Sequence, residues 1–94
     1  MSAPTVRHDA DHGRFVAEID GAEAYLRYRR SHDDRVDFLS TFVPPALRGR
    51  GLAEQIVRAG FAWAEAESLT VIPRCSYVQR LAQQDPALGA LTAD

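Results

Sequence analysis

The chain has 94 residues, of which 46% are hydrophobic and 26% are charged, and its formal net charge is −2. That length allows one domain with a modest core, so we expect residues 1–94 to form a single domain. The charge balance argues against a nucleic-acid or anionic-membrane partner, and no apolar run approaches the roughly 20 residues that a membrane span needs. One cysteine and the lack of a signal-peptide pattern predict a cytoplasmic protein.

Three strands are predicted in the first third of the chain. Residues 5–7 form a short candidate strand, and the polar turn that follows ends at Gly13, which can take a positive φ. Residues 14–20 and 23–30 alternate between apolar and polar side chains, which predicts two half-buried strands. Their inward residues are Phe15, Ala17 and Ile19 in the first, and Ala24, Leu26 and Tyr28 in the second. Asp20-Gly21 between them is a hairpin-turn signal.

A fourth strand is predicted over residues 36–43, after a polar turn at residues 31–34. It is apolar on both faces, which is typical of a strand inside a sheet. Strict alternation places Val36, Phe38 and Phe42 on one face, and Leu39 and Val43 on the other.

The second half of the chain begins with a change to helical spacing. Apolar residues recur along one side of residues 51–67: Leu52, Ala53, Ile56, Val57, Gly60, Trp63 and Ala64. This pattern predicts a long amphipathic helix whose inner side, Trp63 included, belongs to the core. A fifth strand at residues 69–72 and a second helix at residues 75–84 follow. Pro86 ends that helix, and residues 87–94 are expected to fray.

The element order β-β-β-β-α-β-α predicts an α+β fold with a mixed sheet. The first four strands are expected to form an antiparallel meander. The connection through the long helix is expected to be a right-handed crossover, which makes the fifth strand parallel to the fourth.

The junction between the fourth strand and the long helix carries Arg48-Gly49-Arg50-Gly51. A helix N-terminus has free N–H groups and a partial positive charge, and phosphates bind there. Glycines leave the backbone accessible, and arginines can add charged hydrogen bonds. On these residues alone two interpretations stay open: a pyrophosphate cradle, or a tight turn with solvated arginines.

The spacing of this turn fits neither the dinucleotide-binding nor the P-loop pattern. Arg48-x-x-Gly51-x-Ala53 resembles instead the [QR]-x-x-G-x-[GA] signature with which the GNAT N-acetyltransferase superfamily binds the acetyl-CoA pyrophosphate. The flanking segments Phe42-Val43-Pro44 and Ile72-Pro73-Arg74-Cys75-Ser76-Tyr77-Val78 resemble those of very small GNAT-like proteins, which have T-x-V-P and P-x-C-S-Y-V segments.

The resemblance implies a minimal GNAT-type acyl-CoA N-acyltransferase fold, acetyl-CoA or CoA as cofactor, and a primary amine of unknown identity as acceptor. It implies that the fourth and fifth strands splay apart around the pantetheine arm. Only a short turn joins the first two strands, so the acceptor side is expected to be open, and an open face would suit a homodimer. The cofactor-binding residues that it implies are Val43, Arg48, Gly49, Arg50, Gly51, Leu52 and Ala53.

Cys75 opens the second helix beside Arg74, and both a helix N-terminus and a cation lower a thiol pKa. Two interpretations stay open: a thiolate that accepts the acetyl group, or a quiet packing residue. Ser40 is a second candidate catalytic residue, because the resemblance places a histidine at its position, although serine is not an unaided base near neutral pH.

The group that takes the proton from the attacking amine is therefore left undecided by the sequence. Asp37, which alternation places on the face opposite Ser40, is one candidate base, and Tyr77 is a candidate acid for the departing CoA thiolate. A direct transfer, with the oxyanion held by a backbone amide and water taking the proton, needs no side-chain base.

Other clusters favour simpler interpretations. His8, Asp9, Asp11 and His12 are metal-ligand types, but such turns are usually solvated, and no metal site is predicted. The basic and aromatic residues of the third strand are expected to form a solvated face rather than an RNA-binding one. Three hypotheses remain: an acetyltransferase, a CoA-binding module without turnover, and a small interaction domain.

Overall fold

A computed structural model describes residues 5–93. The strands are β1 (Val6–Asp9), β2 (Arg14–Ile19), β3 (Ala22–His32), β4 (Arg35–Phe42) and β5 (Thr70–Pro73). The helices are α1 (Leu52–Ala66), α2 (Ser76–Gln84) and α3 (Pro86–Gly89), with short 3-10 helices at Ala10–His12 and Pro45–Leu47. No helix in the described part of the chain is long and apolar enough to cross a membrane.

The five strands form one sheet in the order β1-β2-β3-β4-β5. The first three pairings are antiparallel and the β4–β5 pairing is parallel. The predicted α+β fold and element order are confirmed. The turns follow the sequence signals, since Asp20 and Gly21 have φ of 53° and 81° and Gly13 has φ of 63°.

The helix α1 covers one face of the sheet, which we call the helix face; it carries Leu26, Val36 and Phe38, all fully buried. A Cβ atom on Gly60 of α1 would lie 2.8 Å from Leu26 Cδ2 and 3.1 Å from Phe38 Cζ. The helix therefore rests directly on the sheet at this point. Phe61, which the apolar spacing did not place inside, is 1% exposed.

The opposite face of the sheet, which we call the open face, carries a different set of side chains: Val16, Tyr25, Arg27, Arg29, Asp37, Ser40 and Phe42. The arginines and Phe42 are exposed. Val16 was predicted to lie on this outer side, and it is nevertheless buried, between Arg7 and Tyr25 of the neighbouring strands.

A bulge in β4 reverses the alternation of its side chains. Tyr28 pairs with Phe38 and Arg27 pairs with Ser40, so Leu39 is an extra residue. Beyond the bulge, Phe42 pairs with Tyr25 on the open face and is 43% exposed. The prediction that Phe42 shares a face with Phe38 is wrong, because strict alternation does not allow for an inserted residue.

The C-terminal segment is ordered by its own contacts. Asp85 caps α3 by accepting a hydrogen bond from the Ala87 amide at 3.0 Å, and Leu88 is buried in the core. Val71 of β5 then exchanges hydrogen bonds with the segment: its N–H donates to Leu91 O, and its carbonyl accepts from the Ala93 N–H, both at 2.9 Å. The expected fraying is therefore wrong for residues 87–93, while Asp94 lies outside the described residues.

Candidate functional site

The pairing of β4 with β5 stops halfway along β4. The last paired residues are Phe38 and Pro73, and the N–H groups of Arg74 and Cys75 then both donate to Phe38 O at 3.1 Å. Residues 39–42 of β4 continue without a β5 partner. An extended chain can add to this free strand edge, which lies where the resemblance places the pantetheine arm.

The glycine turn before α1 presents bare backbone to the surroundings. Gly49 and Gly51 have φ of 83° and 74°, and no atom lies within 4 Å of a Cβ built on either. The amides of residues 49–54 make no hydrogen bond to any residue in the described range; the first that does is that of Gln55, to Gly51 O at 3.2 Å. Such a row of amides is a ready anion site.

The turn opens into a cavity of about 230 Å³ beside the start of α2. Arg48 reaches across it, and its Nε donates to Val43 O at 3.1 Å. Glu54 also borders the cavity, and its carboxylate is held by Arg58 at 2.8 Å. Of the residues predicted to bind the cofactor, the structure places all except Arg50 in its wall, which consists of Val43, Leu47, Arg48, Gly49, Gly51, Leu52, Ala53, Glu54 and Tyr77.

A larger cavity of about 630 Å³ lies along β5 and α2 and contains none of the predicted cofactor residues. Two of its polar side chains are engaged within the protein: Gln79 Nε2 donates to Pro73 O, and Thr92 Oγ1 donates to Gly89 O, each at 2.8 Å. The smaller cavity has unused amides and the larger one does not offer them. The unused amides therefore lie at the glycine turn, beside the smaller of the two cavities.

Cys75 caps the N-terminus of α2 and is half-buried. Its Sγ lies 3.5 Å from Thr41 Oγ1 across the gap between β4 and β5. Burial raises the pKa of the thiol, but the Thr41 hydroxyl, and after it the backbone N–H groups of Val78 and Tyr77 at the start of α2, outweigh burial, and the pKa is lowered. The prediction that Arg74 does this is wrong, because its guanidinium pairs with Asp37 instead.

Thr41, rather than Ser40, is the β4 residue that meets the thiol. Ser40 pairs with Arg27 on the open face, and Thr41 pairs with Leu26 on the helix face. No histidine in the described residues hydrogen-bonds Cys75. Thr41 was missed because the Leu39 bulge, which sets the direction of both side chains, leaves no signal in the sequence.

Replacement of Thr41 by valine should raise the pKa of Cys75, because it removes a hydroxyl that stabilises the thiolate while keeping the side-chain volume. The pH dependence of iodoacetamide alkylation measures this directly, since the chain has only one cysteine. We expect alkylation of the variant to begin at a higher pH. Thr70→Val, at an exposed position, is the matched control. An unchanged alkylation profile for Thr41→Val would contradict the assigned contact.

Asp37 is held as part of an ion-pair cluster. It is 1% exposed, and its Oδ2 lies 3.1 Å from Arg74 Nε and 3.5 Å from an Arg29 nitrogen. Burial raises the pKa of the carboxyl, but hydrogen bonds, that from Arg74 first, outweigh it and lower the pKa. The group stays ionised and is a poor proton acceptor. The bulge also puts it on the same face as Ser40, not the opposite one as predicted.

Asp37→Asn should lower the free energy of unfolding at pH 7 by about 1–2 kcal/mol, since a charge-assisted pair becomes a neutral one. A lowered folded-state pKa contributes stability above the unfolded value near pH 4, and this is lost as pH falls through the folded pKa. The difference in free energy of unfolding between wild type and variant should therefore become smaller as the pH is lowered. Urea unfolding at pH 7 and at successively lower pH tests it, and a gap that does not change with pH would contradict the ion-pair assignment.

Tyr77 lies in the first turn of α2 and borders the smaller cavity. Burial raises the pKa of its hydroxyl, and the charge of Glu54 raises it further. The phenol therefore keeps its proton at neutral pH, as a group that protonates a leaving thiolate must.

The N-terminal histidines belong to packing clusters. His8 lies in β1, not in the predicted turn; it stacks on Phe15 at 4.2 Å, and its Nε2 is 2.6 Å from the Tyr28 hydroxyl. Trp63 is half-buried against this group, with its ring 4.9 Å from both His8 and Tyr28. His12 lies 3.0 Å from an Asp9 oxygen. In residues 5–93 no three His, Cys, Asp or Glu side chains are grouped to hold a metal ion.

The mixed sheet, the glycine turn before α1 and the interrupted β4–β5 pairing together define a fold of the GNAT class. The sequence model of the GCN5-related N-acetyl-transferase family matches residues 14–91. The chain therefore belongs to this family, and membership supports N-acetyltransferase activity in general terms.

Several proteins resemble most of this chain. Protein NATD1 of Xenopus tropicalis is 31% identical over 87 residues, which cover 90% of this chain and 80% of the relative. Protein NATD1 of Homo sapiens is 31% identical over 83 residues, with coverage of 86% and 74%. The solution structure of a GCN5-like protein from Staphylococcus aureus has a TM-score of 0.77 at 20% identity, covering 99% of this chain and 91% of that one, and it shows the fold.

Proposed function

We propose that this protein transfers an acetyl group from acetyl-CoA to a primary amine. The observation that supports this most strongly is the row of amides at residues 49–54, which donate to no residue within 5–93 and open on a cavity that Tyr77 also lines. The amides would bind the diphosphate, and Tyr77 would lie within the same site as the acid.

The cofactor fits the remaining geometry of the chain. Arg48 can exchange Val43 O for a phosphate oxygen, since its side chain is exposed. The free edge of residues 39–42 offers backbone hydrogen bonds to the amides of the pantetheine arm. A cavity of about 230 Å³ holds only part of CoA, so the remainder would lie on the surface.

The arrangement favours direct transfer over an acetylated cysteine. Cys75 has Thr41 beside it and no histidine to accept a proton, and Asp37 is ionised and engaged by arginines. In a direct transfer the amine attacks the thioester carbonyl while a β4 amide stabilises the oxyanion. The C–S bond breaks, Tyr77 supplies a proton to the thiolate of CoA, and water takes the proton of the amine.

Incubation with labelled acetyl-CoA and a library of primary amines tests the proposal. We expect labelled amide products by mass spectrometry, and we expect the Cys75→Ala variant to keep the activity. Tyr77→Phe should lower kcat by about 10–100-fold without weakening CoA binding, because the acid acts only in the transition state. Labelled Cys75 in the wild type, together with inactive Cys75→Ala, would overturn the direct route.

A second function is favoured by Ser40, which stands where the resemblance to the small GNAT-like proteins implies a histidine. A protein with the same cradle and no base would bind CoA or acyl-CoA without turnover. CoA retained in native mass spectrometry, with no amine acetylated, would support this binding module and reject the transferase. No CoA binding at all would reject both.

A further inference from the structure

Three arginine side chains gather on the open face beside the end of the β4–β5 pairing. Arg27 pairs in register with Ser40, and Arg29 pairs with Asp37. Arg74 comes from the other side of the gap, and its Nε lies 3.1 Å from Asp37 Oδ2. The side chains of Arg29 and Arg74 are 69% and 57% exposed, so their remaining N–H groups face solvent.

This arginine cluster, Arg27, Arg29 and Arg74, is not neutralised. The buried Asp37 is the one carboxylate within 4 Å of it in the described residues, and it engages Arg29 and Arg74 through a single oxygen. Arg27 makes no ion pair with a described residue. Three guanidinium groups and one carboxylate leave a local charge of about +2 on a chain whose net charge is −2.

The cluster borders the gap between β4 and β5, where the thioester would lie in the proposed function. Arg74 directly precedes Cys75, and Ser40 directly precedes Thr41, whose hydroxyl is 3.5 Å from the thiol. The cofactor cradle lies at the start of α1, on the helix face. With the cradle on the helix face, the open face is the side left for a second substrate, and Arg27 and Arg29 are exposed there.

An apolar wall stands next to the arginine cluster. Phe42 is 43% exposed, and its ring lies 5.5 Å from that of Tyr25 on the same face. Such a pair can cover the methylene chain of a short substrate, while guanidinium groups bind a carboxylate or phosphate at its end.

We propose that the acceptor is a small primary amine that also carries an anionic group, which the arginine cluster binds. This inference rests on the proposed acetyltransferase function and deepens it. The same charge disfavours polyamines and lysine-rich peptides, because each further ammonium would lie against guanidinium groups.

Three acceptors with the same four-carbon chain and different end groups test the proposal: 4-aminobutyrate, butylamine and putrescine. We expect kcat/KM for 4-aminobutyrate to exceed that for butylamine by about tenfold, with putrescine lowest, and the preference to shrink at high salt. Arg27→Gln should remove most of this preference. Arg35→Gln, at the start of β4 and about 14 Å along the strand from Ser40 when the bulge is allowed for, is the matched charge control and should keep the preference. A parallel assay with 3-aminopropylphosphonate distinguishes a phosphate-type group from a carboxylate.

Equal or faster acetylation of butylamine or putrescine would overturn the acceptor inference and leave the transferase standing. If neither these amines nor any member of the amine library is acetylated, the transferase itself fails, and the anion site is then tested by binding alone. In that case 4-aminobutyrate is titrated into the CoA-bound protein, and the side-chain N–H resonances of Arg27 and Arg29 are followed by NMR. Selective shifts of these resonances would support an anion site, and their absence would overturn it.

Discussion

Replacement of Gly51 by aspartate should weaken CoA binding by about a hundredfold or more, which corresponds to about 2.7 kcal/mol. The position has room for a side chain, since no atom lies within 4 Å of a Cβ built there. An added carboxylate would occupy the space over the amides of residues 49–54 and repel a diphosphate. Isothermal titration calorimetry with CoA measures the change.

Two controls separate charge from backbone strain. Gly21→Asp makes the same substitution at φ of 81°, also with no atom within 4 Å, in the β2–β3 turn. It should cost similar stability and leave CoA affinity unchanged. Gly51→Asn keeps the strain and the size without the charge, and it should weaken binding less than Gly51→Asp. Full CoA affinity in a folded Gly51→Asp protein would contradict the cradle.

Replacement of Phe38 by alanine should lower the free energy of unfolding by about 3–5 kcal/mol. Phe38 is fully buried, and it packs edge-on against Phe61 at 5.3 Å and beneath Gly60 of α1. The loss combines the transfer free energy of the ring with the cavity left between sheet and helix. A domain of this size has a total free energy of unfolding of only about 5–15 kcal/mol, so the variant should be only marginally stable.

Phe42→Ala removes an identical side chain on the opposite face of the same strand. Because Phe42 is 43% exposed, its loss should cost less than about 1 kcal/mol. Urea unfolding of the two variants gives the comparison. Similar losses for both would contradict the Leu39 bulge, which is the feature that puts the two rings on opposite faces.

Periodic patterns were enough to predict most of the fold. The alternation in β2 and β3 and the helical spacing of α1 are both caused by burial on one face. Each element could therefore be predicted from the spacing of its own apolar residues. The Asp20-Gly21 and Gly13 turns follow from the ease with which glycine takes a positive φ. These local features together predicted the α+β order that the structure has.

The features that the sequence did not predict depend on long-range pairing. The Leu39 bulge is a feature of the pairing between β4 and β3, and no local pattern in the β4 sequence indicates it. Its consequences are the positions of Phe42, Thr41 and Ser40. In the same way, Arg74 was expected to act on its neighbour Cys75, but it bonds Asp37, which is 37 residues away in the chain.

The same distinction between local and long-range features applies to the candidate site. The cradle is a contiguous segment, residues 48–53, so its residues could be named from spacing and resemblance. The arginine cluster combines β3 with the residue that follows β5, and it becomes visible only when the sheet brings these segments together. Arg27 and Arg29 were predicted to lie on a solvated face, and both are exposed there.

The central claim is that the amides at the start of α1 bind the diphosphate of CoA. The most direct test is a titration of the ¹⁵N-labelled protein with CoA, followed by amide chemical shifts. We predict that the largest shifts fall on residues 49–54, with smaller ones on residues 39–43 and on Tyr77. Shifts concentrated instead on residues that line the larger cavity, such as Ile72, Gln79 and Thr92, with residues 49–54 unchanged, would contradict this claim.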